Sequence, residues 1–409
     1  MSTWLVIETI EHFQRYGSNV YACVMDMTKA FDNVRHSTLF QKLLDKGIPP
    51  IFIRLLVVMY DKQVANVKWI NTLSKSFSIK NGVKQGAVLS PRLFCVYTDD
   101  LFTLLRKKRT GCWVNGIYIG IVGYADDLLL LSPTLEGLQE MVKTCEDFAH
   151  NHNLKFSTST DIKKCKTKCM AFTKRKIDLK DIKLNGKVLP WVTSAKHLGC
   201  KLTNNINGLS KDILEKRAQY INRANELDQE FYFAHAKTRV MINNIFNTSF
   251  YGSQIWDLFD FEAERVEKTW NVSQRIFLKL PRNSHRFFIE PLSGTRHIRF
   301  AMLKRFVNFI QMMASSSKRV LRFLLMQVKH DCRSTTGRNL RKIMLLLNKT
   351  NKDTITKDDL NNQVYVNVPS NDEWKVNIAK EIVDIKNKRL DVDGFSYKEL
   401  NEMLEIITT

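Results

Sequence analysis

The order of elements along this chain predicts an α+β protein, an antiparallel sheet backed by helices and followed by a long helical half. Three observations carry that expectation. Short apolar strands are separated by hairpin-turn signals rather than by crossover helices, which argues against a doubly wound parallel sheet. Two of those strands run straight into aspartates, Asp26 and the pair Asp126-Asp127. From about residue 209 to 349 the apolar positions keep helical spacing throughout.

Residues 3–16 read as a helix, with Trp4, Ile7, Ile10 and Phe13 on one face and Gly17 as its stop. Val20–Met25 is apolar at every position, the mark of a strand buried on both faces. Ser37 is placed to cap a second helix ending at Gly47, before Pro49-Pro50. A third helix follows to about Asp61. Val64–Ile70 and Ser76–Lys80 read as hairpin strands. A loop at 81–91 leads into a helix over Arg92–Lys107. Asn115-Gly116 and Asn185-Gly186 are two-residue hairpin turns. Ile121–Tyr124 and Leu128–Leu131 flank Ala125-Asp126-Asp127 as a hairpin with two carboxylates at its tip. Ser132-Pro133 then reads as the start of a helix to about His150. Strands are expected near 154–158, 166–172 and 196–202. Residues 350–371, rich in Asn, Asp, Thr and Lys, read as a linker before short helices at 372–409.

The chain has 409 residues, a length that suggests two or three domains. At 44% hydrophobic and 25% charged it has a globular composition, which excludes wholesale disorder and collagen-like or coiled-coil architectures. Lys+Arg 63 against Asp+Glu 41 leaves a net charge of +22. An excess of that size suits a polyanionic partner, nucleic acid first. Eight cysteines without scaffold density point to a reducing compartment. No run reaches the length of a membrane span, and Glu8 and Glu11 break any signal-peptide pattern. Nucleus and cytoplasm are the expected locations, and the oligomeric state is left open. His150, His152, Cys165 and Cys169 fit no zinc-finger spacing.

The aspartates need a reason. Like charges beside a buried sheet repel and lose hydration, so a compensating cation is the natural partner. Three carboxylates at neighbouring strand ends can serve two Mg²⁺ ions about 3.5–4 Å apart, the separation used in two-metal phosphoryl transfer. Between them in sequence, Gly82-Val83-Lys84-Gln85-Gly86-Ala87-Val88-Leu89-Ser90-Pro91 offers two glycines for close backbone approach and a glutamine able to reach a base edge or a ribose.

Taken in order, MDMTKAFDNVRHSTLFQKL, NGVKQGAVLSPRLF, VGYADDLLLL, KKCKTKCMAF and KHLGCKL resemble the reverse transcriptases of non-LTR (LINE-type, Jockey-like) retrotransposons. The resemblance covers about residues 1–205. It implies a polymerase palm over 1–205 with a remnant of the fingers. A helical thumb and following helices would occupy 206–349, then a linker and small helical tail 350–409. The implied activity is RNA-directed DNA polymerisation with Mg²⁺, or Mn²⁺ in its place. The implied partners are an RNA template, a DNA primer and dNTPs, with no membrane. The competing reading is an inactive copy that only binds RNA or RNA–DNA hybrid.

Residue by residue, the resemblance makes Asp26, Asp126 and Asp127 catalytic and metal-binding, with the Met27 carbonyl as a further ligand. Thr28, Lys29 and Ala30 would approach the triphosphate, and Phe31 would exclude a ribose 2′-hydroxyl. Asp32 reads as structural, an N-cap or a partner of Arg35. Gln85 and Gly86 would position the template base and the incoming nucleotide. Lys166 matches the acid that protonates pyrophosphate, with Lys168 two residues on as the other candidate. His197, Leu198 and Gly199 match the primer grip, a hairpin that holds the primer end, and Tyr124 would pack beneath the primer end or the Asp pair. Basic clusters at Arg106, Lys107, Lys108, Arg109 and at Lys174, Arg175, Lys176 are candidate nucleic-acid contacts, as are Lys304, Arg305, Lys318, Arg319 and Arg322. The chain opens close to Asp26, so fingers and endonuclease are expected to be missing and the frame to be a fragment or decayed copy.

Overall fold

In the computed structural model the described residues are 1–348 apart from 160, 162–164, 175, 176, 205–208, 248, 249, 285–288, 294–297 and 330. The expected linker and tail at 350–409 lie outside them, as do Arg175 and Lys176.

The chain forms two compact units, one of Ser2–Leu198 with Leu202–Ile206, the other of Met1, Gly199–Lys201 and the residues from Asn207 on. The first unit begins with α1 (Ser2–Arg15), β1 (Val20–Asp26), α2 (His36–Asp45) and α3 (Pro50–Asp61). A broken ribbon follows, in which β2 (Val64–Ala65) pairs with β5 (Phe77–Ser78) and β3 (Lys68–Trp69) with β4 (Thr72–Leu73). Next come α4 (Ser90–Lys107), the hairpin β6 (Trp113–Val114) and β7 (Ile117–Tyr118), then β8 (Ile121–Tyr124), β9 (Asp127–Ser132) and α5 (Leu135–Asn151). The unit continues with β10 (Lys168–Phe172) and the hairpin β11 (Lys183–Leu184) and β12 (Lys187–Val188). β13 (Ser194–His197) and β14 (Cys200–Thr203) pair as a further hairpin. The second unit is helical: α6 (Ser210–Glu230), α7 (Ala236–Phe246), a 3-10 turn at Ser253–Ile255, α8 (Phe261–Phe277), α9 (Ile289–Ser293), α10 (Ile298–Ala314), α11 (Arg319–Val328) and α12 (Thr335–Asn348).

Four strands make one antiparallel sheet in the order β10-β1-β9-β8. Side chains alternate faces along a strand. Tyr21, Cys23 and Met25 of β1, with Leu128 and Leu130 of β9, therefore share the face that packs on α4 and α5 through Phe94, Leu101, Leu138, Met141 and Phe148. Val20 and Ala22 take the other face, where α1 approaches β1 and β8. β1 is covered on both sides, which is why its sequence is apolar at every position.

Four expectations are corrected. Near 154–158 no strand forms, and Phe156 makes only an isolated bridge to Met27. Helix α2 begins at His36, and its N-cap Arg35 has no side-chain cap, so Ser37 lies inside the helix. α5 is capped by Thr134, whose hydroxyl accepts from the Gly137 N–H at 3.1 Å, because Ser132 is still part of β9. The single strand that the residues suggest at 196–202 is a hairpin, as the primer-grip resemblance implies, turning at Leu198 (φ 47°) and Gly199 (φ 78°). The two asparagine–glycine turns are as read: all four residues have positive φ.

Candidate active site at the carboxylate end of the sheet

β1 and β9 run antiparallel with Asp26 directly opposite Asp127. The Asp26 N–H donates to Thr167 Oγ1 at 3.3 Å, and its carbonyl accepts from the Ser157 N–H at 2.8 Å. Both groups thus point away from β9. Asp26 and Asp127 are therefore a non-hydrogen-bonded pair, the closer kind, with Cα atoms typically about 4.5 Å apart and side chains on one face. Sequence positions a hundred residues apart meet because β9 folds back beside β1.

The hairpin register pairs Tyr124 with Asp127, leaving Ala125 and Asp126 as a two-residue loop. Ala125 has φ 53°, a conformation usually given to glycine in such loops. Asp126 is half-buried at the tip, and its charge raises the carboxyls of both Asp26 and Asp127. For Asp26 the largest cause is lost hydration, opposed by Lys166; for Asp127, burial and both neighbouring aspartates all push upward. Tyr124 stays 65% exposed beside the pair rather than packing beneath it.

Lys166 Nζ stands 3.8 Å from Asp26 Oδ2. Lys168 pairs with Val24, so of the two lysines it is Lys166 that the register carries to the carboxylates. The Lys166 side chain is 71% exposed, free to turn toward a substrate.

Beyond Asp26 the chain turns through 28–33, with Lys29 at φ 49° and its carbonyl accepting from the Asp32 and Asn33 N–H groups. The segment after α5 braces this turn. Thr28 N–H donates to Lys155 carbonyl at 2.8 Å, Met27 bridges to Phe156, and Asn153 Nδ2 donates to the Asn33 carbonyl at 3.2 Å. Those bonds occupy the β10 side. By strand alternation the Met27 carbonyl points to the other side, toward the hairpin tip. Ala30 is buried, and Phe31 is half-buried and stacked on Phe94 with centroids 5.0 Å apart.

The glycine loop closes against the same turn. Val83 N–H donates to the Phe31 carbonyl and Gly82 N–H to the Val34 carbonyl, each at 2.8 Å. His36 Nε2 lies 2.7 Å from the Gly82 carbonyl. Gln85 Nε2 donates to Asp32 Oδ1 at 3.1 Å. Asp32, read as an N-cap or a partner of Arg35, is instead the anchor that holds Gln85 beside the turn. Gly86 has φ 81° and open space around it.

Other expected residues lie elsewhere. His197 is 2% exposed, its ring against Thr3 Oγ1 at 3.2 Å, so the hairpin presents Leu198 and Gly199 and not the imidazole. Arg106, Lys107, Lys108 and Arg109 are exposed at the C-terminal end of α4, where cations complement the helix dipole. Gly111 packs against the Leu131 carbonyl, at the far end of β9. The cluster is thus about 13 Å along the strand from Asp127. Lys174 follows Phe172, which pairs with Val20, also at the far end. Among the described residues, cations at the carboxylate end include Lys29, Lys155 and Lys166; Lys155 carries no motif that would single it out.

Burial holds the His197 imidazole down at about 4, against an ordinary 6.5. The folded state binds its proton more weakly than the unfolded state, so the associated stability is present above 6.5 and lost as pH falls toward 4. Denaturation of the wild type should show a loss of roughly 3 kcal/mol across that window, and His197→Gln should flatten it. Equal pH slopes for the two proteins would refute this.

An antiparallel sheet with aspartates at adjacent strand ends, braced helices behind it and a glycine loop alongside is the palm of a nucleic-acid polymerase. The family model for reverse transcriptase (RNA-dependent DNA polymerase) matches residues 3–202, and this part of the chain belongs to that family, in the non-LTR retrotransposon branch. It is 30% identical over 145 residues to the Pol polyprotein of the type-1 retrotransposable element R2 of Nasonia vitripennis, covering 36% of this chain and 14% of that protein. It is 27% identical over 206 residues to the RNA-directed DNA polymerase of the mobile element jockey of Drosophila funebris, covering 49% and 21%. Similarity to the probable polymerase of the transposon X-element of Drosophila melanogaster is 22% over 276 residues, covering 64% and 29%. The chain therefore spans a seventh to under a third of these relatives. Among solved structures, the Candida albicans telomerase has a TM-score of 0.35 at 11% identity over 77% of this chain and 51% of its own.

Enzymes of this family generally use divalent metal ions. The donors at the strand ends are all oxygen, which suits a hard cation. Among the described residues no three His, Cys, Asp or Glu side chains converge enough to hold a metal by themselves. The set fits a cation that also takes the Met27 carbonyl and substrate phosphate oxygens, the usual Mg²⁺ arrangement of few protein carboxylates. No described helix is long and apolar enough to cross a membrane.

Proposed function

We propose that this chain extends a DNA primer along an RNA template with dNTPs, by nucleotidyl transfer assisted by two Mg²⁺ ions or by Mn²⁺. The observation that supports it is the pairing of Asp26 with Asp127 across adjacent strands, with Asp126 at the hairpin tip acting on both, next to the braced turn 28–33. The ions, when bound, would lower the pKa of the primer 3′-hydroxyl and neutralise charge on the leaving pyrophosphate.

The chain's own groups do the positioning. Asp26, Asp126, Asp127 and the Met27 carbonyl hold the cations. Thr28, Lys29 and Ala30 line the triphosphate. Phe31, fixed by Phe94, forms the floor beneath the sugar. Gln85, anchored by Asp32, meets the base pair, and Gly86 leaves the template room. Lys166 gives a proton to pyrophosphate as it leaves. Leu198 and Gly199 support the primer end, and the basic clusters at the far end of the sheet meet nucleic-acid backbone away from the chemistry. Nucleus and cytoplasm are the locations this proposed work on nucleic acid calls for.

Purified protein should extend a DNA primer on an RNA template with dNTPs and Mg²⁺ and discriminate against ribonucleotides. Phe31→Val should erode that discrimination about ten- to a hundredfold, the range a steric pocket contact commands. Unchanged discrimination would exclude Phe31 from the sugar site. The net charge of +22 supports a second reading, binding of RNA or hybrid without catalysis. Salt-sensitive binding with no extension would select it.

A further inference from the structure

Cys23 of β1 and Cys169 of β10 are register partners on adjacent antiparallel strands, and both are fully buried. The Cys169 N–H donates to the Pro190 carbonyl at 2.9 Å, and its carbonyl accepts from the Val192 N–H at 2.8 Å. Its backbone thus faces away from β1, and the two cysteines form a non-hydrogen-bonded pair. In such pairs Cα atoms lie about 4.5 Å apart and the side chains stand side by side. Disulfides form with Cα separations of about 4.4–6.8 Å, so this pair lies inside the permitted range without backbone rearrangement. The Cys169 thiol raises the Cys23 thiol more than burial does, and Cys145 of α5 and Cys165 add to the effect.

We propose that Cys23 and Cys169 are an oxidisable pair that closes to a disulfide across the strands bearing the site. Cys23 lies three residues before Asp26, and Cys169 three after Lys166. The oxidant is a small peroxide. Two thiols and one hydrogen peroxide give one S–S bond and two waters: the thiols lose two electrons, the O–O bond breaks, and both thiol protons leave in the water. Burial shields both thiols, so reaction waits on local opening of the sheet edge and is slow in the resting fold.

The test treats the folded full chain with hydrogen peroxide, alkylates it after unfolding, and maps peptides by mass spectrometry. Cys95→Ser/Cys332→Ser serves as the background, since these are the cysteines that solvent reaches. The expected product is a Cys23–Cys169 peptide lacking two hydrogens and reversed by dithiothreitol, formed faster in sub-denaturing urea while circular dichroism stays native. Cys23→Ala should abolish it and leave Cys169 alkylatable. Recovery of both residues as free thiols, or a bridge from either to Cys145 instead, would overturn the proposal. The mapping of the background protein needs no core variant to fold.

Discussion

Asp127→Asn should make the metal-free protein more stable at neutral pH and the polymerase inactive. Every electrostatic influence on the Asp127 carboxyl in the fold is unfavourable to its charge: burial, Asp126 and Asp26. A carboxyl raised above its ordinary 3.8 binds its proton more readily in the folded than in the unfolded state. Its penalty is therefore absent at low pH and complete above the raised pKa. The stability gain of the variant should appear in neutral buffer and fade as pH falls toward 3.8. Millimolar Mg²⁺ with dNTP should narrow or reverse the gap, because a ligand that prefers the charged wild-type site stabilises only that site. Extension should fall by at least about a hundredfold, as loss of several kcal/mol of transition-state charge stabilisation requires. Thermal melts with and without the cation, paired with primer extension, check both halves. A variant less stable than wild type in the absence of metal would contradict the picture of three repelling carboxylates.

Gly82→Ala should be the most damaging small substitution outside the carboxylates. Gly82 has φ 94°, and a Cβ there would meet the Asp32 Cα and carbonyl at 3.0 Å and the Phe31 carbonyl at 3.1 Å. These neighbours are backbone and cannot swing aside. Left-handed strain and overpacking together should cost about 2–4 kcal/mol. The displaced segment carries Phe31, so the KM for dNTP should rise in whatever fraction folds. Gly86→Ala is the control: its φ is also positive, 81°, but nothing stands near it. It should cost about 1–2 kcal/mol, the left-handed strain alone. Equal destabilisation by the two would show that the close approach of the glycine loop to the nucleotide turn is unimportant.

Much of this site was legible in the sequence because it is written in side chains. An apolar run ending in Asp26, a hairpin with Asp126-Asp127 at its tip and glycines flanking Gln85 each have a local cause. What escaped is written in backbone. The brace from Lys155 and Phe156 to Thr28 and Met27 consists of main-chain bonds that any residues can make, so the strand expected near 154–158 gives no sign of what it braces. The turn at Leu198-Gly199 lacks the asparagine that marks the other hairpins, so the residues alone suggest one strand and only the primer-grip resemblance implies two. Ser132 followed by proline looks like a helix start, but β9 claims it and Thr134 caps instead. The basic clusters were read as one class of contact. Only the register shows that Arg106–Arg109 and Lys174 stand at the end of the sheet away from Asp26.

The most direct test of the central claim is a Mn²⁺ titration followed by electron paramagnetic resonance, in the presence of dNTP and primed template. Wild type should bind the ion, and Asp26→Asn and Asp126→Asn, a hundred residues apart in sequence, should each weaken binding about tenfold or more, as loss of a ligand demands. Equal Mn²⁺ affinity in all three proteins would mean that these carboxylates do not share a metal site.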